Sequence, residues 1–296
     1  MDPFSSEGEL LNIHNAFHQG QFSTVVSTTP ETFSPENQTT AKVLIYRARI
    51  AQGEAETVAS ELEGAEEPEL KAVKAYAEYT VGNTNAAQEI EALVESSSDN
   101  VTVQLLGGIV LHLEGKSDEA LALLSKHQGN LEAVALIVQI RLTQNRTDLA
   151  TKEVQAAKKW ANDSLLVNLA ESWVGLRVGG EKYQQAYYVY EELAQQPTSS
   201  NARTLVGQAV TELHLGRYPE AESGLEQALE KNPADPEALA NSIVLGILAG
   251  KSVEEQNVHA SNLEKAAPSH PYLTDLAEKS ELFDTAAARY TPKIGA

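Results

Sequence analysis

LVGQAVTELHLGRYPEAESGLEQALEKNP, residues 205–233, decides the fold. It reads as a helix, a tight turn at Gly216-Arg217-Tyr218-Pro219, a second helix and a stop at Pro233. Pro219 falls where the second helix begins, a position that tolerates its missing N–H. Ala221 and Ala228 are seven residues apart and share one face of that helix. Small residues there let two helices approach closely. Leu225 fills the bulky place between them.

The unit resembles the tetratricopeptide (TPR) consensus, although Leu205 and Gln208 stand where the consensus first helix has Trp and Leu. The same turn recurs at Gly20, Gly53, Gly82, Gly115, Asn145, Gly180, Gly216 and Gly250, at spacings of 33, 29, 33, 30, 35, 36 and 34 residues. Glycine and asparagine are the residues that adopt the left-handed conformation ending a helix. Ala87, Ala120, Ala150, Ala186 and Ala221 follow five or six residues after their turns; Val25, Val58 and Glu255 hold that place in the outermost units. Eight such turns near a 34-residue period predict an all-α, TPR-like solenoid of about eight hairpins, with degenerate ends. An irregular helical array of another repeat family is the alternative. One repeat domain is expected over 9–292, between short tails at 1–8 and 293–296. The segment 272–290 reads as a final capping helix.

Composition agrees. The 296 residues include 40 alanines, the best helix former, and only 6% aromatics. Pro30, Pro35, Pro68, Pro197, Pro233, Pro236, Pro268 and Pro271 lie between candidate helices, and no proline interrupts 69–196. The net charge of −20 argues against a broad grip on nucleic acid or anionic lipid. The absence of cysteine excludes disulfides, thiolate-held metals and thiol catalysis. The start MDPFSSEGELLN lacks the basic and apolar regions of a signal peptide, and the apolar run 238–250 is too short to span a bilayer. A soluble cytosolic protein is expected.

Chemistry is sparse. GLRVGGEK (175–182) fails the phosphate-loop template, because Gly180 is followed by Glu181 rather than by Lys and Ser or Thr; a lengthened hairpin turn is the plainer reading. His14 and His18 are four apart and could bridge a metal on one helix face, but no third ligand is evident nearby. His112, His127, His214, His259 and His270 are scattered. Neither a cofactor nor a metal is expected, and no catalytic residue is assigned. The sequons at Asn37, Asn100, Asn145 and Asn162 are expected to be unglycosylated without a secretory signal. Trp160 and Trp173 read as helix–helix packing. Tyr190 falls on a core position; Tyr187 and Tyr188 cannot both point inward, which would make one a contact aromatic, but a structural role for the pair is the plainer reading.

Binding is what such a stack can do. With each turn residue as position 15, positions 5, 9 and 12 of the first helix face the concave wall. They are Leu105, Ile109 and His112 in the Gly115 unit, Val206, Val210 and Leu213 in the Gly216 unit, and Ala240, Val244 and Ile247 in the Gly250 unit. A wall this apolar suits a buried protein segment. Tight closure of the stack on itself is the alternative. TPR co-chaperones that hold acidic tails resemble one another in a Lys and Asn clamp at these positions, and the apolar residues here offer no such donors. A TPR adaptor or co-chaperone is therefore the second reading.

The longer segments carry a closer likeness. NAFHQGQF (15–22), IYRARIAQG (45–53), LKAVKAYAEY (70–79), LEAVALIVQIRL (131–142), LAESWVGLRVGGEKYQQAYYVYEEL (169–193) and SHPYLTDLAEKSELFD (269–284), together with the Gly216 unit, resemble the epsilon subunit of coatomer, the COPI coat. The likeness departs mainly around 28–40 and 55–68. It implies a non-catalytic coat subunit that binds the C-terminal region of the coatomer alpha subunit as a heterodimer within the heptameric coat. It further implies Golgi-to-ER and intra-Golgi transport. The location implied is the cytoplasm and the cytosolic face of Golgi membranes and COPI vesicles, with membrane contact only through the assembled coat. No nucleic-acid partner is implied.

Overall fold

Alanine-rich segments punctuated by glycine, asparagine and proline fold as helices throughout. The computed structural model describes residues 6–195 and 200–290, and among them no strand occurs. Residues 1–5 of the expected N-terminal tail, the 293–296 tail and Pro197 lie outside the described residues. After a single turn, α1 (Ser6–Glu9), come eight helical hairpins among the described residues. They pair α2 (Leu11–His18) with α3 (Phe22–Val26), α4 (Gln38–Ala51) with α5 (Ala55–Glu61), α6 (Pro68–Thr80) with α7 (Ala86–Ser96), and α8 (Val101–Leu113) with α9 (Ser117–Leu124). The later four pair α10 (Leu131–Thr143) with α11 (Thr147–Ala161), α12 (Leu165–Val178) with α13 (Glu181–Gln195), α14 (Ala202–His214) with α15 (Tyr218–Lys231), and α16 (Pro236–Leu248) with α17 (Val253–Ala266). A last helix, α18 (Pro271–Ala287), follows.

The turns stop the helices by the expected device. All eight turn residues have positive φ, from 57° at Asn145 to 91° at Gly53. At Gly216 the next N–H, from Arg217, donates back to the Glu212 carbonyl at 2.9 Å, closing the last helical turn. The same bond forms from Lys116 to Leu111 and from Arg146 to Arg141, each at 2.8 Å. The α12–α13 turn differs: Gly179 and Gly180 are both left-handed, at φ 85° and 62°, and α13 starts directly at Glu181. The glycine-rich stretch is thus a hairpin turn. Helix starts are fixed by Asn100, Asn130, Asn201 and Asp235, whose side chains accept from backbone N–H groups of the first turn.

Small residues set the hairpin spacing. Val25, Val58, Ala120, Ala150, Ala186 and Ala221 are each at most 1% exposed. In the Gly82 hairpin the fully buried residue is Ala86, while Ala87 is only half-buried. Helix α7 opens only at Ala86, and its inward face falls one residue nearer the turn, so Ala86 and Ile90 repeat the inward spacing of Ala120 and Leu124. Glu255, in the last hairpin, is exposed.

The chain divides into two compact units, one ending at Ser199 and the other beginning at Ser200. In the first, each core is shared by consecutive hairpins. Val58 of α5 packs in one cluster with Val73 of α6 and Leu106 of α8. Leu124 of α9 packs with Ile137 and Ile140 of α10, and Val154 of α11 with Val138 of α10 and Val174 of α12. The layers lie close: a Cβ on Gly108 would sit 2.8 Å from Leu124 Cγ. These helices curl so far that α2 of the first hairpin meets α12 of the sixth. In the second unit, Leu239, Ala240 and Ile243 of α16 and Leu263 of α17 form a core, against which Tyr272 and Leu273 of α18 pack. Beyond that first turn α18 has no buried residue.

Candidate functional site

The wall positions are covered to different degrees. In the first unit Leu105 is 4% exposed, Ile109 is half-buried against the α5–α6–α8 core, and His112 Nδ1 lies 2.9 Å from Ser117 Oγ. In the second unit Val206 is 7% exposed and Ala240 belongs to the core. Val210, Leu213 and Val244 are half-buried, and Ile247 is 56% exposed. The cause is layer packing. A first helix touches its hairpin mate and also its neighbours, as α8 touches α6, α7, α9 and α10. Close approach over Gly and Ala covers positions that helical spacing alone leaves on a free face.

Curling of the first unit creates a polar cluster that the sequence does not display. Glu132 opens α10 just after its Asn130 cap. Arg47 of α4 donates to both its oxygens, from Nη1 to Oε2 at 3.1 Å and from Nη2 to Oε1 at 2.8 Å. His18 Nε2 of α2 lies 3.2 Å from Glu132 Oε1, a contact that is not a well-aligned hydrogen bond. Phe17 carries the Arg47 guanidinium 4.6 Å above its ring. All three charged or titratable side chains are largely shielded, at 11%, 13% and 15% exposure for Arg47, Glu132 and His18. Burial alone would raise the Glu132 pKa, but the Arg47 charge and the His18 and Arg47 contacts hold it well below the usual carboxylate range. Burial pushes His14 down, so it stays neutral near pH 7.

Glu132 is also the third group that the His14–His18 pair lacks in sequence. One ligand atom from each of the three lies within 4.8 Å of the others. The carboxylate, however, is already neutralised by a bidentate guanidinium, and a cation bound there would have to displace Arg47. The geometry is that of a tie between α2, α4 and α10. Spacing could not have shown it, because Arg47 and Glu132 are 85 residues apart.

The aromatic residues divide. Trp173 packs on the α10–α11–α12 core, and its Nε1–H donates to the Tyr190 hydroxyl at 2.9 Å. Trp160 does not pack as expected: it is 53% exposed, beside Gly129, because it points off α11 where no helix covers it. Tyr187 donates to Glu191 at 2.6 Å, which leaves Tyr188, 59% exposed, as the outward aromatic.

No helix among the described residues is long and apolar enough to cross a membrane. Paired helices, left-handed turns and small residues at the hairpin contacts define a TPR-type helical-repeat protein, a scaffold class. Solved structures agree at the level of fold. The Cut9–Hcn1 tetramer of the APC/C matches over 94% of this chain and 56% of that chain, with a TM-score of 0.63 at 16% identity. A tetratricopeptide repeat protein from Parabacteroides merdae matches over 81% and 98%, with a TM-score of 0.60 at 10% identity. The chain belongs to the coatomer epsilon subunit family, whose model matches residues 6–291. Coatomer subunit epsilon-2 of Arabidopsis thaliana is 32% identical, over 94% of this chain and 95% of the relative. The probable coatomer subunit epsilon of Schizosaccharomyces pombe is 31% identical, over 97% and 96%. Membership makes the chain a structural subunit of coatomer rather than an enzyme.

Proposed function

We propose that this subunit binds the C-terminal region of the coatomer alpha subunit, and that the apolar wall is its contact surface. The observation that carries the reading is the partial exposure of Val210, Leu213 and Val244 and the 56% exposure of Ile247, side chains that hairpin packing leaves unfinished. Val206 is the floor beneath them, and Leu105 with Ile109 is the equivalent pair in the first unit. The work of the pair lies in Golgi-to-ER and intra-Golgi transport, on the cytosolic face of Golgi membranes and COPI vesicles, with the membrane reached only through the assembled coat.

The test is titration of the purified chain against the alpha subunit's C-terminal region. Val210→Asp with Val244→Asp puts two unpaired charges into the contact and should weaken binding by at least roughly 100-fold, with helicity unchanged. Ile247→Asp alone, at a more exposed position, keeps the test valid if the double variant unfolds. High salt should change wild-type affinity little, because the contact is mainly apolar. Wild-type affinity in both variants would put the contact elsewhere.

A further inference from the structure

Every other long helix of the second unit has buried side chains, but α18, at 17 residues, has none. Its first turn explains what the rest lacks. Tyr272 and Leu273 pack on the α16–α17 core, and His270 Nε2 reaches Glu237 at 3.3 Å. The face they use continues along the helix. At about 100° per residue, Leu276, Phe283 and Ala287 fall within about 40° of arc, midway between Tyr272 and Leu273. Leu276 is 55% exposed and Phe283 71%, and Tyr290 follows just beyond at 78%. One helical turn is thus seated, and the following turns hold the same apolar face in solvent. A terminal layer of a helical stack ordinarily turns a polar face outward. This one does not.

The helix that bears the ridge is acidic, with four carboxylates against one lysine. At the same spacing Asp284 flanks the ridge on one side and Asp275 with Lys279 on the other, Glu278 and Glu281 lie towards the far face, and Lys279 is the only basic residue of the helix. Lys279 is taken by Asp275 at 3.1 Å and Glu278 at 3.8 Å. The uncompensated acids rule on the occupant. A second copy pairing ridge to ridge would bring two net-acidic helices together, and an anionic membrane would be repelled. We propose that the exposed face of α18 docks an amphipathic helix of another protein, apolar along one ridge and lysine- or arginine-rich beside it. That helix would lie on α18 as the next layer of the stack. Its exposed residues are other than those of the wall assigned to the alpha subunit.

The test uses the full-length chain and a synthetic peptide of about five helical turns with a leucine ridge flanked by lysines. Its control peptide has glutamate in place of lysine. Binding is read by fluorescence anisotropy for the wild type and for Leu276→Ser with Phe283→Ser, which leaves the charge untouched and changes only exposed side chains. The wild type should bind the lysine peptide and not the glutamate peptide. The double-serine chain should bind at least about 30-fold more weakly. Val210→Asp with Val244→Asp should leave peptide binding as in the wild type, which keeps this proposal and the wall assignment separately testable. Equal binding by wild type and double-serine chain would reduce the effect to bulk charge and overturn the proposal. Ridge-dependent dimerisation in sedimentation, or ridge-dependent binding to vesicles of phosphatidylcholine and phosphatidylserine, would overturn the choice of occupant.

Discussion

Replacing Arg47 with methionine, and then Glu132 with leucine in the same chain, separates the charge of the polar tie from its packing. Arg47→Met keeps the aliphatic stem and removes the guanidinium, so Glu132 loses hydrogen bonds of 3.1 and 2.8 Å. The two side chains are only 11% and 13% exposed, and little water can replace what is lost. Breaking a buried pair from one side costs about 3–5 kcal/mol. The remaining His18 contact and residual exposure put this case at the lower end, about 3 kcal/mol. At roughly 2–4 °C per kcal/mol the melting point should fall by roughly 6–12 °C. Arg47→Met with Glu132→Leu leaves no buried charge and should return to within about 1 kcal/mol of wild type. Trp160 and Trp173, the chain's two tryptophans, both lie in the first unit, so tryptophan fluorescence during urea unfolding reports that unit alone. A double variant as unstable as the single one would show that shape, not charge balance, matters there. An unchanged Arg47→Met would refute the tie altogether.

Gly108→Ala should destabilise by about 1–2 kcal/mol in urea unfolding, because overpacking against the fully buried Leu124 outweighs the helix-propensity gain. Gly246→Ala meets only the flexible Gln256 side chain, with Cγ at 3.0 Å, and should raise the circular-dichroism melting point through a gain of up to about 1 kcal/mol. The His14 pKa is lower folded than unfolded, so the stability it gives is full above about pH 6.5 and is lost as pH falls below that. His14→Gln should flatten the fall in the fluorescence-detected urea midpoint between about pH 7 and 5.5. Ala221→Leu should cost roughly 1–3 kcal/mol at the closed α14–α15 contact, whereas the exposed Glu230→Ala should stay within about 0.5 kcal/mol in the same melts.

What the sequence made legible is local. A left-handed residue must close each hairpin, so the glycines and Asn145 announce themselves one by one, and the structure gives all eight a positive φ. The Ala87 expectation misses by one because α7 opens at Ala86 with its inward face one residue nearer the turn than in the other hairpins, a shift that no spacing rule anticipates. Leu105 and Val206 look like free wall residues on a single helix, yet neighbouring layers cover them to 4% and 7%. Glu132 is harder still. It reads as one more acid in a first turn, and only curling of the first unit brings it to Arg47 and His18. The uncovered face of α18 was hidden for the opposite reason. Its apolar spacing suits a capping helix, and only the packing shows that the cap is seated by a single turn.

The Arg47–Glu132 bond has a consequence for how the molecule comes apart. A repeat array held by nearest neighbours alone frays from its ends, and amide exchange in each hairpin then reports its own local opening. A bond across 85 residues turns the stretch from α4 to α10 into a closed loop. None of the layers inside can be peeled off while the bond holds, so their amides should exchange as one block, with a single opening free energy. The second unit, with two hairpins and a final helix held by its first turn, has no cross-brace of that span among the described residues. Under mechanical load or partial denaturation it is the end that lets go first.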